Sequence, residues 1–122
     1  MLKEFVKVKQ EGGGARRRWF EDDGLELIVW YDAAGAVEGF QILYGRGDGE
    51  HALSWRAAGG FAHHRVDQGD NLFSKLAPIL VPDGAVPWAR IATEFAARGA
   101  RLEPALRELV QGKLQENETH GP

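Results

Sequence analysis

The 122-residue chain has the length of one domain, and 43% hydrophobic against 27% charged residues is the composition of a folded globular protein. The absence of cysteine excludes disulfides, thiolate zinc sites and a cysteine nucleophile. A formal charge of −3 argues against a nucleic-acid partner, and no apolar run approaches the roughly 20 residues that span a bilayer, so a cytoplasmic protein without membrane contact is expected.

Residues 2 to 9 alternate imperfectly, Leu2, Val6 and Val8 against Lys3, Lys7 and Lys9, until Gly12-Gly13-Gly14 breaks the pattern. Residues 1–14 therefore read as a flexible or loosely attached arm, residues 15–114 as a single α+β domain and residues 115–122 as a frayed polar tail. Arg16 to Phe20 is a short strand whose Arg16, Arg17 and Arg18 form the only basic run, balanced by Glu21, Asp22 and Asp23.

Four strands follow, Leu25 to Asp32, Val37 to Tyr44, His51 to Arg56 and Phe61 to Val66, joined by glycine-rich links of hairpin length. The link Gly45 to Gly49 has a Gly-x-Gly-x-Gly spacing, but no helix follows it to supply a phosphate-binding N-terminus. Pro78 to Pro82 suits one further buried or edge strand. Trp88, Ile91, Ala92, Phe95 and Ala96 then recur at helical spacing, with Pro87 in the first turn and Gly99 at the C-terminal end. Pro104 opens a second helix carrying Leu106, Leu109, Val110 and Leu114 on one side, weakened near its end by Gly112. The architecture expected is an antiparallel β-meander of four to six strands followed by two C-terminal helices packed on one face.

A hairpin register that keeps apolar residues together defines that face. It places Leu25, Leu27, Val29 and Tyr31 beside Phe40, Ile42 and Tyr44, then His51, Leu53 and Trp55, then Ala62, His64 and Val66. The opposite face carries Glu26, Ile28, Trp30 and Asp32, then Val37, Gly39, Gln41 and Leu43, then Ala52, Ser54 and Arg56, then Phe61, His63 and Arg65. Its cross-strand rows are Trp30, Gly39, Arg56, Phe61 and Ile28, Gln41, Ser54, His63. An indole and a guanidinium then flank the notch left by Gly39, as on a shallow recognition surface or where an aromatic covers a strand glycine.

Ser54 and His63 have the spacing of a nucleophile and its base, but no nucleophile elbow or orienting carboxylate accompanies them, and a polar surface pair is expected. His63 and His64 are adjacent on a strand and point to opposite faces, so they do not chelate one ion. His51 and His64 lie diagonally on the core face, with Asp67 and Asp70 as oxygen ligands from the loop beyond; this is the set a small metal-dependent hydrolase would use. Histidines in apolar surroundings are more often hydrogen-bonded core residues, so no metal and no cofactor is expected.

Arg17-Arg18-Trp19-Phe20, the run Leu27 to Asp32, Gly39-Phe40-Gln41, Ala52-Leu53-Ser54-Trp55 and His64-Arg65-Val66-Asp67 together resemble a family of short, uncharacterised bacterial proteins. The likeness spans about residues 16 to 110. It implies a bacterial intracellular setting and a shared fold, and it transfers no activity and no functional residue. The function expected from the residues is a non-enzymatic binding or interaction domain that self-associates as a homo-oligomer, a dimer in the simplest case. The expected contact face uses Ile28, Trp30, Val37, Leu43 and Phe61, with Gln41, Arg56 and His63 as its polar members.

Overall fold

The computed structural model describes residues 1–5, 16–45, 49–67, 79–82 and 86–120. Lys3–Glu4 (β1), Arg16–Glu21 (β2), Leu25–Tyr31 (β3), Val37–Tyr44 (β4), His51–Arg56 (β5), Gly60–Asp67 (β6) and Ile79–Pro82 (β7) pair antiparallel in chain order within one sheet. The helices Trp88–Arg98 (α1) and Pro104–His120 (α2) follow. This is the expected meander with two C-terminal helices, extended at its edge by the two-residue β1. No helix among the described residues is long and apolar enough to cross a membrane.

Alternation drives β3 and β4, because Leu25, Leu27 and Val29 meet Tyr44, Ile42 and Phe40 across the pair, and Tyr31 meets Val37 beyond a shift of register. The next strand continues the rows, with Phe40 opposite Trp55, Ile42 opposite Leu53 and Tyr44 opposite His51. Ile91, Ala92 and Phe95 of α1 and Leu106, Val110 and Leu114 of α2 close over this face, and Leu27, Val29, Phe40, Ile42, Leu53, Ile91, Phe95, Val110 and Leu114 are wholly buried. Each such side chain contributes about 1.5–3 kcal/mol from the apolar area it removes from water.

The end of α1 is set by close approach. Gly99 keeps negative φ, but a Cβ there would lie 2.9 Å from the Phe95 carbonyl oxygen and 3.2 Å from Leu102. Helix α2 runs through Gly112 to His120, past the weak end expected near Leu114. Gln, Glu and Lys dominate this last stretch and are good helix formers, and Lys113 and Glu116 add a 3.9 Å pair one turn apart.

The start of the chain is tied to its own domain. Leu2 is buried in the core and its N–H donates to the Arg98 carbonyl, while Lys3 and Glu4 pair with Glu21 and Phe20. Residues 6–15 of the expected arm lie outside the described residues.

The basic run has specific partners. Arg18 faces the helices opposite Val29, donates Nε and Nη2 to the Glu4 carboxylate at 2.9 and 2.7 Å, and donates Nη1 to Glu103 and to the Tyr31 hydroxyl. That fork holds the Glu4 carboxyl below its usual range. Asp22 and Asp23 pair instead with Arg98, each at 3.0 Å. Asp22 Oδ1 also accepts the N–H groups of Gly24 and Leu25, closing the β2–β3 turn.

Two substitutions test the helix reading. No atom of the described residues lies within 4 Å of a Cβ built at Gly112, so Gly112→Ala should raise stability by about 0.5–1 kcal/mol in denaturant unfolding. Gly99→Ala should lower it by about 1–3 kcal/mol. Equal effects would refute the distinction.

Asp22 supplies a pH test. Burial pushes its carboxyl up, but the Gly24 N–H, Arg98, the N-terminal ammonium of Met1 and the Leu25 N–H outweigh burial and hold it below the ordinary value. A depressed folded value gives stability that is present above the unfolded pKa and lost as pH falls through the folded one. Acidification from pH 7 to pH 3 should therefore lower the melting temperature less in Asp22→Asn than in the wild type, and parallel curves would remove Asp22 from the acid response.

Candidate binding cleft on the outer sheet face

Between β5 and β6 the chain does not follow the register expected from its apolar pattern. Arg56 pairs with Gly60, Ser54 with Ala62 and Ala52 with His64. The link is the three residues Ala57-Ala58-Gly59, closed by the Gly59 N–H donating to the Arg56 carbonyl at 3.1 Å, and Gly60 enters β6 at φ +77°. This is a three-residue hairpin loop ending in a left-handed glycine bulge, one residue shorter than the four-residue link expected.

Because side chains alternate, the one-residue difference exchanges the faces of β6. Phe61, His63 and Arg65 lie on the helix side opposite Trp55, Leu53 and His51, and Ala62 and His64 lie on the outer side. Phe61 accordingly packs edge-on against Trp88 and Phe40, with ring centroids 5.0 and 6.1 Å apart. The placement of Phe61 and His63 on the outer face is therefore corrected.

Val37 is corrected for a different reason. Asp32 Oδ1 accepts the N–H groups of Ala34 and Ala36, and the turn ends on Gly35 at φ +89°. Trp30 pairs with Gly39 but Tyr31 with Val37, so one extra residue sits in β4. Val37 then joins the core side, and Glu38 is displaced to line the outer cleft while its carbonyl accepts the Ala57 N–H.

These corrections also separate the catalytic and metal sets considered from sequence. Ser54 stands opposite Ala62 and accepts a hydrogen bond from Gln41 Nε2 at 3.0 Å, while His63 is on the other face beside the Tyr44 hydroxyl, to which it is hydrogen-bonded. His51 remains on the helix side, where its Nδ1–H donates to the Gly49 carbonyl, and His64 is on the outer side. The sheet lies between the two imidazoles, so they do not bind one ion. Asp70 and the Asp67 side chain lie outside the described residues. Tyr44, His51 and His63 instead form a near-parallel group with centroids 5.4–5.9 Å apart, and the Arg90 guanidinium lies over the Tyr44 ring.

The outer face assembles in three rows. They are Arg17, Trp30, Gly39, Arg56, Gly60; then Trp19, Ile28, Gln41, Ser54, Ala62; then Glu21, Glu26, Leu43, Ala52, His64. Ile28, Glu26 and Ala52 are buried, whereas Trp30 is 36% exposed. A cavity of about 310 Å³ opens beside Trp30, floored by Gly39, Gln41 and Ser54 and walled by Glu38, Arg56, Ala62 and His64.

Its chemistry is mixed. The side chains of Arg56 and Glu38 form no hydrogen bond or ion pair among the described residues, although their strands are paired at this point. His64 Nδ1 is buried and without a hydrogen-bond partner among them. Glu38 and His64 are cleft residues that the sequence reading missed. The signals for them are Asp32-x-x-Gly35, which admits a bulge after the turn, and Gly59-Gly60, which admits the shorter loop.

The fold and the cleft together define a two-layer α+β domain with a concave, aromatic and charged cleft on the sheet face opposite the two helices. No protein-family model, curated protein or solved structure matches the chain.

Trp30 and Gly39 separate surface from scaffold. Trp30→Ala should change unfolding stability by less than about 1 kcal/mol, as for a partly exposed side chain. Gly39→Ala should cost about 1–3 kcal/mol, because its Cβ would lie 2.7 Å from the Trp55 carbonyl oxygen, a backbone atom fixed in the sheet. A neutral Gly39→Ala would show that the notch is not enforced by the pairing.

Proposed function

We propose that this chain is a non-enzymatic binding domain of the bacterial cytoplasm that receives its ligand in the outer-face cleft at Trp30, Gly39 and Arg56. One observation carries the reading: an exposed indole, together with a guanidinium and a carboxylate that are unpaired among the described residues, surrounds a concavity whose floor a glycine keeps open. Concave sites with an apolar wall and a few convergent polar groups are the usual form of small-ligand pockets. The cytoplasmic setting is supported by the cysteine-free composition and by the resemblance to bacterial proteins. Against an enzyme stands the separation of Ser54 from His63 and of His51 from His64.

The test is an NMR screen of small-molecule fragments on the intact chain. Shifts should concentrate on Trp30, Gly39, Gln41, Ser54 and Arg56. Hits that map to the helix layer, with the outer face silent, would overturn the reading.

Self-association through the same face is a second reading, favoured by the exposure of Trp30 beside Ile28 and Leu43. It has lost Val37 and Phe61 to the core side, which removes two of its five apolar contacts. Sedimentation should show a concentration-dependent dimer that Trp30→Ala weakens, and a monomer at every concentration would eliminate it.

A further inference from the structure

We infer that the cleft selects small monoanionic carboxylates attached to a flat aromatic ring. The inference rests on the binding reading above and adds the class of ligand. Trp30, Gly39 and Arg56 are consecutive members of one cross-strand row, so indole and guanidinium spring from strands two steps apart, about 10 Å at the usual strand spacing. A single ring with a carboxylate on its edge fits that span. The half-open indole gives the ring a face to stack on, and Gly39 between the two leaves its path clear of a side chain.

The sign of the ligand's charge is argued from the lining. Among the described residues that line the cleft, Arg56 is the one guanidinium and Glu38 the one carboxylate. Arg56 carries no ion pair among the described residues, and its planar fork matches a carboxylate with two parallel hydrogen bonds. Glu38 opposes a second negative charge at the same place, which disfavours a phosphate dianion. On the floor, the Gln41 amide and Ser54 hydroxyl already bond each other, which leaves Arg56 as the lining group that recognises the carboxylate.

Benzoate is the probe, with benzamide, benzylamine and inorganic phosphate as controls, titrated into the isotope-labelled full chain and followed at the Trp30 indole N–H and the Gly39 amide. Benzoate should shift both in a saturable way at concentrations up to about 10 mM, the range for one stacked ring and one ion pair. Benzamide should bind at least tenfold more weakly, and benzylamine and phosphate should leave the cleft unshifted. Arg56→Gln should lower benzoate affinity at least tenfold with an unchanged melting temperature, and Arg56→Lys should restore part of it. If benzamide or benzylamine shifts the same residues as well as benzoate does, or if Arg56→Gln is without effect on benzoate, the carboxylate inference falls while the cleft stands as a binding site. If fragments in the wider screen shift the cleft and benzoate does not, the inference again falls alone. If no probe and no fragment reaches Trp30 and Gly39, both readings fall together.

Discussion

The burial of one sheet face beneath two helices is the interaction on which the rest of the molecule depends. Val29 and Phe40, then Leu27, Ile42 and Leu53, form rows that Ile91, Phe95, Val110 and Leu114 close from above, and all of these side chains are wholly removed from water. With each worth about 1.5–3 kcal/mol, this layer outweighs any single polar contact. It also dictates which sheet face is left uncovered by helices. The cleft exists on the outer face because the helices are engaged on the inner one.

Polar contacts refine that arrangement at its margins. Arg18 joins Glu4 of β1, Tyr31 of β3 and Glu103 at the start of α2, while Arg98 at the end of α1 joins the turn at Asp22 and Asp23. These are partly exposed pairs, and their value lies in fixing where the helix ends sit more than in bulk stability. At the far side of the same face, the rings of Tyr44, His51 and His63 and the guanidinium of Arg90 fill a corner where the apolar rows run out.

The cleft is a by-product of pairing constraints as much as of its own side chains. Gly39 is demanded by the closeness of the Trp55 carbonyl, the bulge before it turns Glu38 outward, and the three-residue loop before Gly60 turns His64 outward. Backbone geometry therefore brings an acid, a base and an imidazole around an indole without disturbing the core behind them. The exposed residues of such a surface can change at little cost to the fold.

The sequence alone determined the class of fold, the order of the strands and helices, and the faces of β3, of β5 and of β4 from Gly39 onward, where apolar residues alternate so strictly that the wrong parity would expose a whole row of Leu, Ile, Val and Phe. Trp30, Gly39, Arg56 and the Gln41–Ser54 pair were legible for that reason. In β6 the pattern Phe61-Ala62-His63-His64-Arg65-Val66 places an apolar residue inside at either parity, so hydrophobicity does not choose between them. There the tertiary structure decided, through a left-handed glycine that shortens the loop by one residue, and near Val37 it decided again through a bulge that fits the strand to the turn at Asp32. Both are backbone choices made by hydrogen bonds and loop closure, which alternation along a strand does not encode.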